Sequence, residues 1–201
     1  MLITSPEPTP DPEGLLARAL AGGSFDLLLR EPLTPDAELV GLARRLQPLL
    51  TAHGGRLLIH GRPEVALEAE ADGLHLPETA TGEIRHIIGP DMLLGRSCHA
   101  VESACRHLQA GGDYVTLSPL FFTRSHPDAT PLGLARFARM RAAIPGPVLA
   151  LGGIEPENVA EAMRTGASGV ALIRGVWNAP DPTAAVRRLL TRMRKNRISF
   201  S

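Results

Sequence analysis

The stretch from Pro147 to Gly175 limits the fold more than any other part of this chain. An apolar run, Val148-Leu149-Ala150-Leu151, turns on Gly152-Gly153, and a helix-like segment follows from Pro156 to Thr165. Gly166 ends that segment, and a second apolar run, Val170-Ala171-Leu172-Ile173, turns on Arg174-Gly175. The connection between the two runs is too long for a hairpin, so the strands are predicted to be parallel, with a crossover helix between them. Glycine turns at the C-terminal ends of adjacent parallel strands leave backbone N–H groups unscreened by side chains, and such groups hold phosphate.

The same unit recurs along the chain. Leu2-Ile3-Thr4, Phe25 to Leu29, Leu57-Leu58-Ile59, Gly73 to Leu76, Met92-Leu93-Leu94 and Tyr114 to Leu117 read as six further strands. Each is followed by a helical pattern that Gly or Pro punctuates. Thr34 is placed to cap the second helix, with Pro35 at its first position. A long loop runs from Ser118 to Leu132, and Thr183 to Arg194 is the last helix. Eight strands alternating with eight helices predict a single (β/α)8 barrel, an α/β fold over residues 1–201, with a doubly wound open sheet as the competing architecture. At 201 residues the chain is near the lower limit for such a barrel. Its apolar fraction is 44% with only 3% aromatic, which suits aliphatic helices packed on a parallel sheet. In barrels of this kind phosphate often sits at the loops after strands 7 and 8, where the glycine turns fall.

Composition excludes several classes of partner. Lys+Arg and Asp+Glu each number 21, so no excess charge points to nucleic acid or an anionic membrane. Longer apolar runs of the kind a membrane span needs are absent, and the Pro-rich, acidic N-terminus does not resemble a signal peptide. Cys98 and Cys105 lack metal-ligand companions at a usable spacing and read as reduced thiols, so a cytoplasmic protein is expected.

In a barrel, chemistry comes from the C-terminal strand ends. Those ends supply Arg30, His60, Arg62, His75, Glu78, Arg96, Ser97, His99, the loop from Ser118 to His126, Gly152, Gly153, Ile173 and Arg174. The arginines and imidazoles gathered at one rim predict a locally positive mouth for an anionic ligand. Within the long loop, Thr123, Arg124, Ser125 and His126 bring two hydroxyls, a guanidinium and an imidazole, which bind phosphate oxygens or move protons.

These residues resemble the thiamine phosphate synthase and TenI superfamily. The resemblance rests on motifs in order: Leu28-Leu29-Arg30-Glu31, His60-Gly61-Arg62, Asp72-Gly73-Leu74-His75-Leu76, Gly95-Arg96-Ser97-Cys98-His99 and Asp113-Tyr114-Val115. Ser118-Pro119-Leu120-Phe121, Pro131-Leu132-Gly133-Leu134, Leu151-Gly152-Gly153-Ile154 and Gly166 to Ala171 complete it. The resemblance implies a (β/α)8 barrel and one of two activities. Thiamine phosphate synthase joins a hydroxymethylpyrimidine pyrophosphate to a thiazole phosphate, with Mg2+ on the pyrophosphate. TenI-type proteins isomerise a thiazole carboxylate phosphate to its aromatic tautomer.

Particular positions divide the two. Synthases place carboxylates where this chain has Gly61 and Ala80, and a lysine in the strand 6 loop where it has His126. Tautomerases place a histidine where it has Pro119. Gly61 and Gly95-Arg96-Ser97 look more like the TenI type, so a TenI-type tautomerase is the first expectation, a synthase the second, and a non-catalytic phosphate-binding regulator the third. The expected ligand is a small thiazole phosphate, held by Gly152, Gly153 and the Ile173–Arg174 turn, with Arg30, His60, Arg62, His75, Arg96, Ser97, Thr123, Arg124 and Ser125 around it. His126 is the first candidate acid–base group, with His99 and Ser118 next. No metal or other cofactor is expected, Mg2+ entering only with the synthase activity, and a homodimer is left open.

Overall fold

Eight strands close into one barrel in this computed structural model, which describes residues 1–4, 11–123 and 128–197, with side chains through Arg194. The strands are β1 (Leu2–Ile3), β2 (Leu27–Leu29), β3 (Leu57–His60), β4 (Gly73–Leu76), β5 (Leu93–Cys98), β6 (Tyr114–Leu117), β7 (Val148–Leu151) and β8 (Gly169–Ala171). Each pairs in parallel with its neighbour in sequence. The seam closes where Leu2 bridges Leu172 and the Ile3 N–H donates to the Leu172 carbonyl at 2.9 Å. Closure removes the sheet edges, so the expected barrel is present and the open sheet is not.

The helices among the described residues are α1 (Pro12–Leu20), α2 (Asp36–Ala52), α3 (Pro63–Glu68), α4 (Arg85–Ile88), α5 (Val101–Gln109), α6 (Gly133–Ala142), α7 (Val159–Arg164), α8 (Arg174–Trp177) and α9 (Pro182–Arg197). The main core lies between helices and sheet, from leucines such as Leu16, Leu39, Leu57 and Leu74 with Phe137. A second, smaller core fills the barrel with Ile3, Leu28, Leu58, Tyr114 and Ala171. Strand residues alternate between these two cores, as the period of two requires.

Several local expectations shift. Helix α2 begins at Asp36 with Pro35 as its cap residue, one place later than predicted, because Thr34 sits in a preceding turn whose N–H donates to the Glu31 carbonyl. The fifth strand runs past Leu94: the Gly95-Arg96-Ser97 triplet, expected at its end, continues β5, and Gly95 pairs with Tyr114. A Cβ at Gly95 would run into the Tyr114 ring, its phenol oxygen at 2.5 Å, so the glycine makes room for that ring inside the barrel. Helix α8 was not anticipated, since Arg174-Gly175 reads as a turn. Its Trp177 indole N–H donates to the Ile3 carbonyl at 2.6 Å, tying the helix to the barrel seam.

Candidate functional site

The strand ends fall into two regions. The first is a cleft of about 610 Å³ over the ends of β7 and β8. Gly152, Gly153, Ile173, Arg174 and Gly175 line it, together with Phe122, Thr123 and, from α9, Arg188. The predicted phosphate residues are therefore on one wall. Helix α8 opens at this wall, and the N–H groups of a helix's first turn have no intrahelical acceptor. The Gly152-Gly153 turn is held on both sides. Asn158 accepts from the Glu155 N–H and donates to the Gly153 carbonyl, while the Leu120 and Phe121 N–H groups donate to Leu151 and Gly152.

Both glycines have left-handed backbones, φ +101° at Gly152 and +63° at Gly153. A Cβ at Gly152 would lie 2.7 Å from the Pro119 Cα, and one at Gly153 would press on the Phe122 carbonyl and lie 2.9 Å from the Phe121 Cβ. Close packing of the β6 loop, and not only access for a ligand, requires glycine here.

The second region is the central mouth above β2 to β6. His75 is 1% exposed, and its ring nitrogens lie 3.0 Å from the Tyr114 hydroxyl and 3.0 Å from the Ser97 Oγ. His60 stacks on it with ring centroids 6.0 Å apart. Burial holds His75 down at about 3 and His60 down at about 4, with neighbouring cations and rings reinforcing the effect, so both are neutral at physiological pH. The expected imidazole charge is thus missing at these two positions. His75, with both nitrogens hydrogen-bonded, is a buried residue of the barrel interior.

Two expected cations are also engaged elsewhere. The Arg62 guanidinium donates to the carbonyls of Thr34, Glu31 and Pro32 and to Asp36, pinning the loop between β2 and α2. Arg96, which pairs with Leu76 on a register facing the helices, donates to His107, Glu78 and Ala80. Arg30 is the rim arginine whose guanidinium makes no hydrogen bond or ion pair with a described residue; its N–H binds the Thr4 hydroxyl. Arg62 and Arg96 keep their charge but are oriented by protein acceptors, Arg62 with Asp36 as an ion-pair partner.

His99 and Ser118 do come together. His99 Nδ1 is 2.8 Å from the Ser118 carbonyl and 3.3 Å from its Oγ. Glu78, from the end of β4, accepts from the His99 N–H at 3.1 Å and from the Ser103 hydroxyl at 3.2 Å, and its other oxygen is 3.7 Å from His99 Nε2. His126, Arg124 and Ser125 lie outside the described residues. Cys98 is buried, which pushes its thiol up to about 11 and leaves it inert. Tyr114 and Arg188 were not singled out from sequence. An inward polar aromatic on a strand is a signal for the first, but nothing local marks the second.

A family model described as "Thiamine monophosphate synthase" matches residues 1–176. A protein named thiamine-phosphate synthase from Roseiflexus sp. (strain RS-1) is 41% identical over 178 residues, covering 87% of this chain and 75% of that one. One of the same name from Methanoculleus marisnigri is 41% identical over 182 residues, covering 89% and 86%. The solved structure of a thiamine phosphate pyrophosphorylase from Pyrococcus furiosus superposes with a TM-score of 0.87 at 27% identity, covering 97% of this chain and 95% of that one.

Proposed function

Since the chain belongs to the thiamine monophosphate synthase family, we propose that it joins a hydroxymethylpyrimidine pyrophosphate to a thiazole phosphate to give thiamine phosphate. What carries this reading is the cleft at the ends of β7 and β8, in a chain 41% identical to proteins named for that synthesis. The thiazole phosphate sits against the Gly152-Gly153 turn and the first turn of α8, where backbone N–H groups and the Arg174 guanidinium meet its oxygens. The pyrimidine pyrophosphate lies across the mouth, toward Arg30 and His60. Neutral His60 donates or accepts there without adding charge.

Such a reaction implies Mg2+, and the residues present do not fit it. Mg2+ takes one or two carboxylates plus phosphate oxygens. Gly61 and Ala80 occupy the positions where the resembling synthases carry carboxylates. Among the described residues no group of three His, Cys, Asp or Glu is placed to hold a metal ion. Glu78, a carboxylate at the mouth, is already engaged by His99 and Ser103. No step is therefore routed through a metal.

That misfit is the specific observation favouring a second reading, the TenI-type tautomerase, although Pro119 stands where those proteins carry a histidine. One experiment separates the two. The purified protein is incubated with thiazole phosphate and pyrimidine pyrophosphate, with and without Mg2+, and in parallel with thiazole carboxylate phosphate. Formation of thiamine phosphate supports the synthase. A change in thiazole absorbance without thiamine phosphate moves the assignment to the tautomerase. Saturable binding with no turnover in either assay leaves a binding protein.

A further inference from the structure

Without a fitted metal site, the synthase reading requires another group to neutralise the departing pyrophosphate. We propose that His99 protonates the leaving oxygen and that Glu78 positions His99 to do so; this inference rests on the synthase reading above. The geometry singles out this pair. The His99 ring is fixed at one edge by the 2.8 Å contact between Nδ1 and the Ser118 carbonyl. A carbonyl oxygen only accepts, so Nδ1 carries a hydrogen there. Across the ring, Nε2 faces the second oxygen of Glu78 at 3.7 Å, a group that only accepts. Both ring nitrogens therefore point at acceptors, which is the arrangement of a proton donor.

Access and anchoring are divided in the same way. The side chain of His99 is 54% exposed and that of Glu78 37%, so Nε2 can reach a molecule in the mouth. Ser118, behind the ring, is 9% exposed. The three residues follow the ends of β4, β5 and β6, one or two positions past strands that pair with one another. A purely structural role for Glu78 also has support. Helix α5 has no side-chain cap of its own, and Glu78 receives the Ser103 hydroxyl and the His99 N–H at its start. That role uses one carboxylate oxygen. It explains neither the second oxygen facing Nε2 nor the bond to Ser118. The other groups around the pair are Ser118 just past β6, Ser103 on α5, Cys98 at the end of β5 and Arg96 on β5, whose guanidinium donates to His107 and to the carbonyls of Glu78 and Ala80.

The bond between the pyrimidine methylene carbon and the pyrophosphate oxygen breaks, and its electron pair stays on oxygen. The Nε2 proton of the imidazolium moves to that oxygen. The thiazole nitrogen lone pair forms the new C–N bond. His99 is left neutral and is reprotonated from solvent, with Glu78 stabilising the imidazolium that results.

The test is steady-state thiamine phosphate formation by wild type, His99→Gln, Glu78→Gln and Glu78→Asp across pH. His99→Gln should lower kcat by about 10²–10⁴, with KM for the thiazole phosphate unchanged. Glu78→Gln should lower kcat by roughly 10–100-fold, the usual cost of losing the carboxylate behind a histidine, and Glu78→Asp should restore part of it. In Glu78→Gln the loss should fall on kcat, with KM for the thiazole phosphate unchanged. A loss shared between kcat and KM, or one that Glu78→Asp does not relieve, makes Glu78 only a structural cap and overturns its positioning role. Should Glu78→Gln fail to fold, ¹⁵N NMR of the wild-type histidines decides: a His99 Nδ1 without hydrogen at neutral pH overturns the geometry. Full activity in His99→Gln overturns this inference while leaving the synthase reading intact. A wild type that makes no thiamine phosphate overturns the reading itself, and the proton-transfer role with it.

Discussion

Replacing Gly153 with alanine tests why glycine is needed in the turn after β7. The backbone there is left-handed, φ +63°, and an L-residue in that region costs roughly 1–2 kcal/mol. The added Cβ would also press on the Phe122 carbonyl and lie 2.9 Å from the Phe121 Cβ, and forcing a methyl into packed surroundings costs about 1–3 kcal/mol. Together the loss is about 2–5 kcal/mol, a large share of the stability of a typical domain. For a chain of this size about 2–4 °C follows each kcal/mol, so the melting temperature should fall by about 4–20 °C. Gly82→Ala is the control: its φ is +90°, but nothing lies within 4 Å of its Cβ, so it carries the backbone cost alone. Both variants are compared with wild type by thermal unfolding without ligand and by titration with thiazole phosphate. Gly153→Ala should melt below Gly82→Ala and bind more weakly. If it melts no lower than the control yet loses binding, the glycine serves only ligand access and the packing argument is refuted.

Three further outcomes are expected. The folded values of His75 and His60, about 3 and about 4, lie below the ordinary 6.5, so the unfolded chain takes up protons first as pH falls. Stability is therefore fully present above pH 6.5 and declines as pH drops toward about 3. For the fully buried His75 the limiting slope is about 1.4 kcal/mol per pH unit, and urea unfolding between pH 6.5 and 5 should show a flatter dependence in His75→Gln than in wild type. Arg62→Lys keeps the charge but loses the fork that reaches three carbonyls and Asp36. It should cost about 1–3 kcal/mol in urea unfolding and speed proteolysis near Leu33, which is 96% exposed; an unchanged cleavage rate would mean the loop is held without it. Calorimetric titration of Mg2+ with pyrophosphate should give no tight stoichiometric binding, and a tight one-to-one heat would restore a metal route.

The sequence alone determined the alternation of strand and helix, the parallel direction and the addresses of the strand ends. Those follow from apolar runs and from Gly and Pro punctuation, which are local and survive without knowledge of the neighbours. It also placed the glycine turns that line the cleft over β7 and β8, because left-handed turns are written in glycine. The tertiary structure alone decided which of the rim residues face the mouth. Strand side chains alternate with a period of two, so whether Arg96 or Ser97 points into the barrel depends on how far β5 extends, and the triplet expected at the strand's end continues as strand. Arg62 looked free until the loop between β2 and α2 folded back to give it three carbonyls. The meeting of Glu78, His99 and Ser118 joins residues 21 and 19 positions apart, across three strand ends whose register only the closed barrel sets. Chain-local patterns carry no information about such contacts, because the partners become neighbours only when each strand pairs with the next.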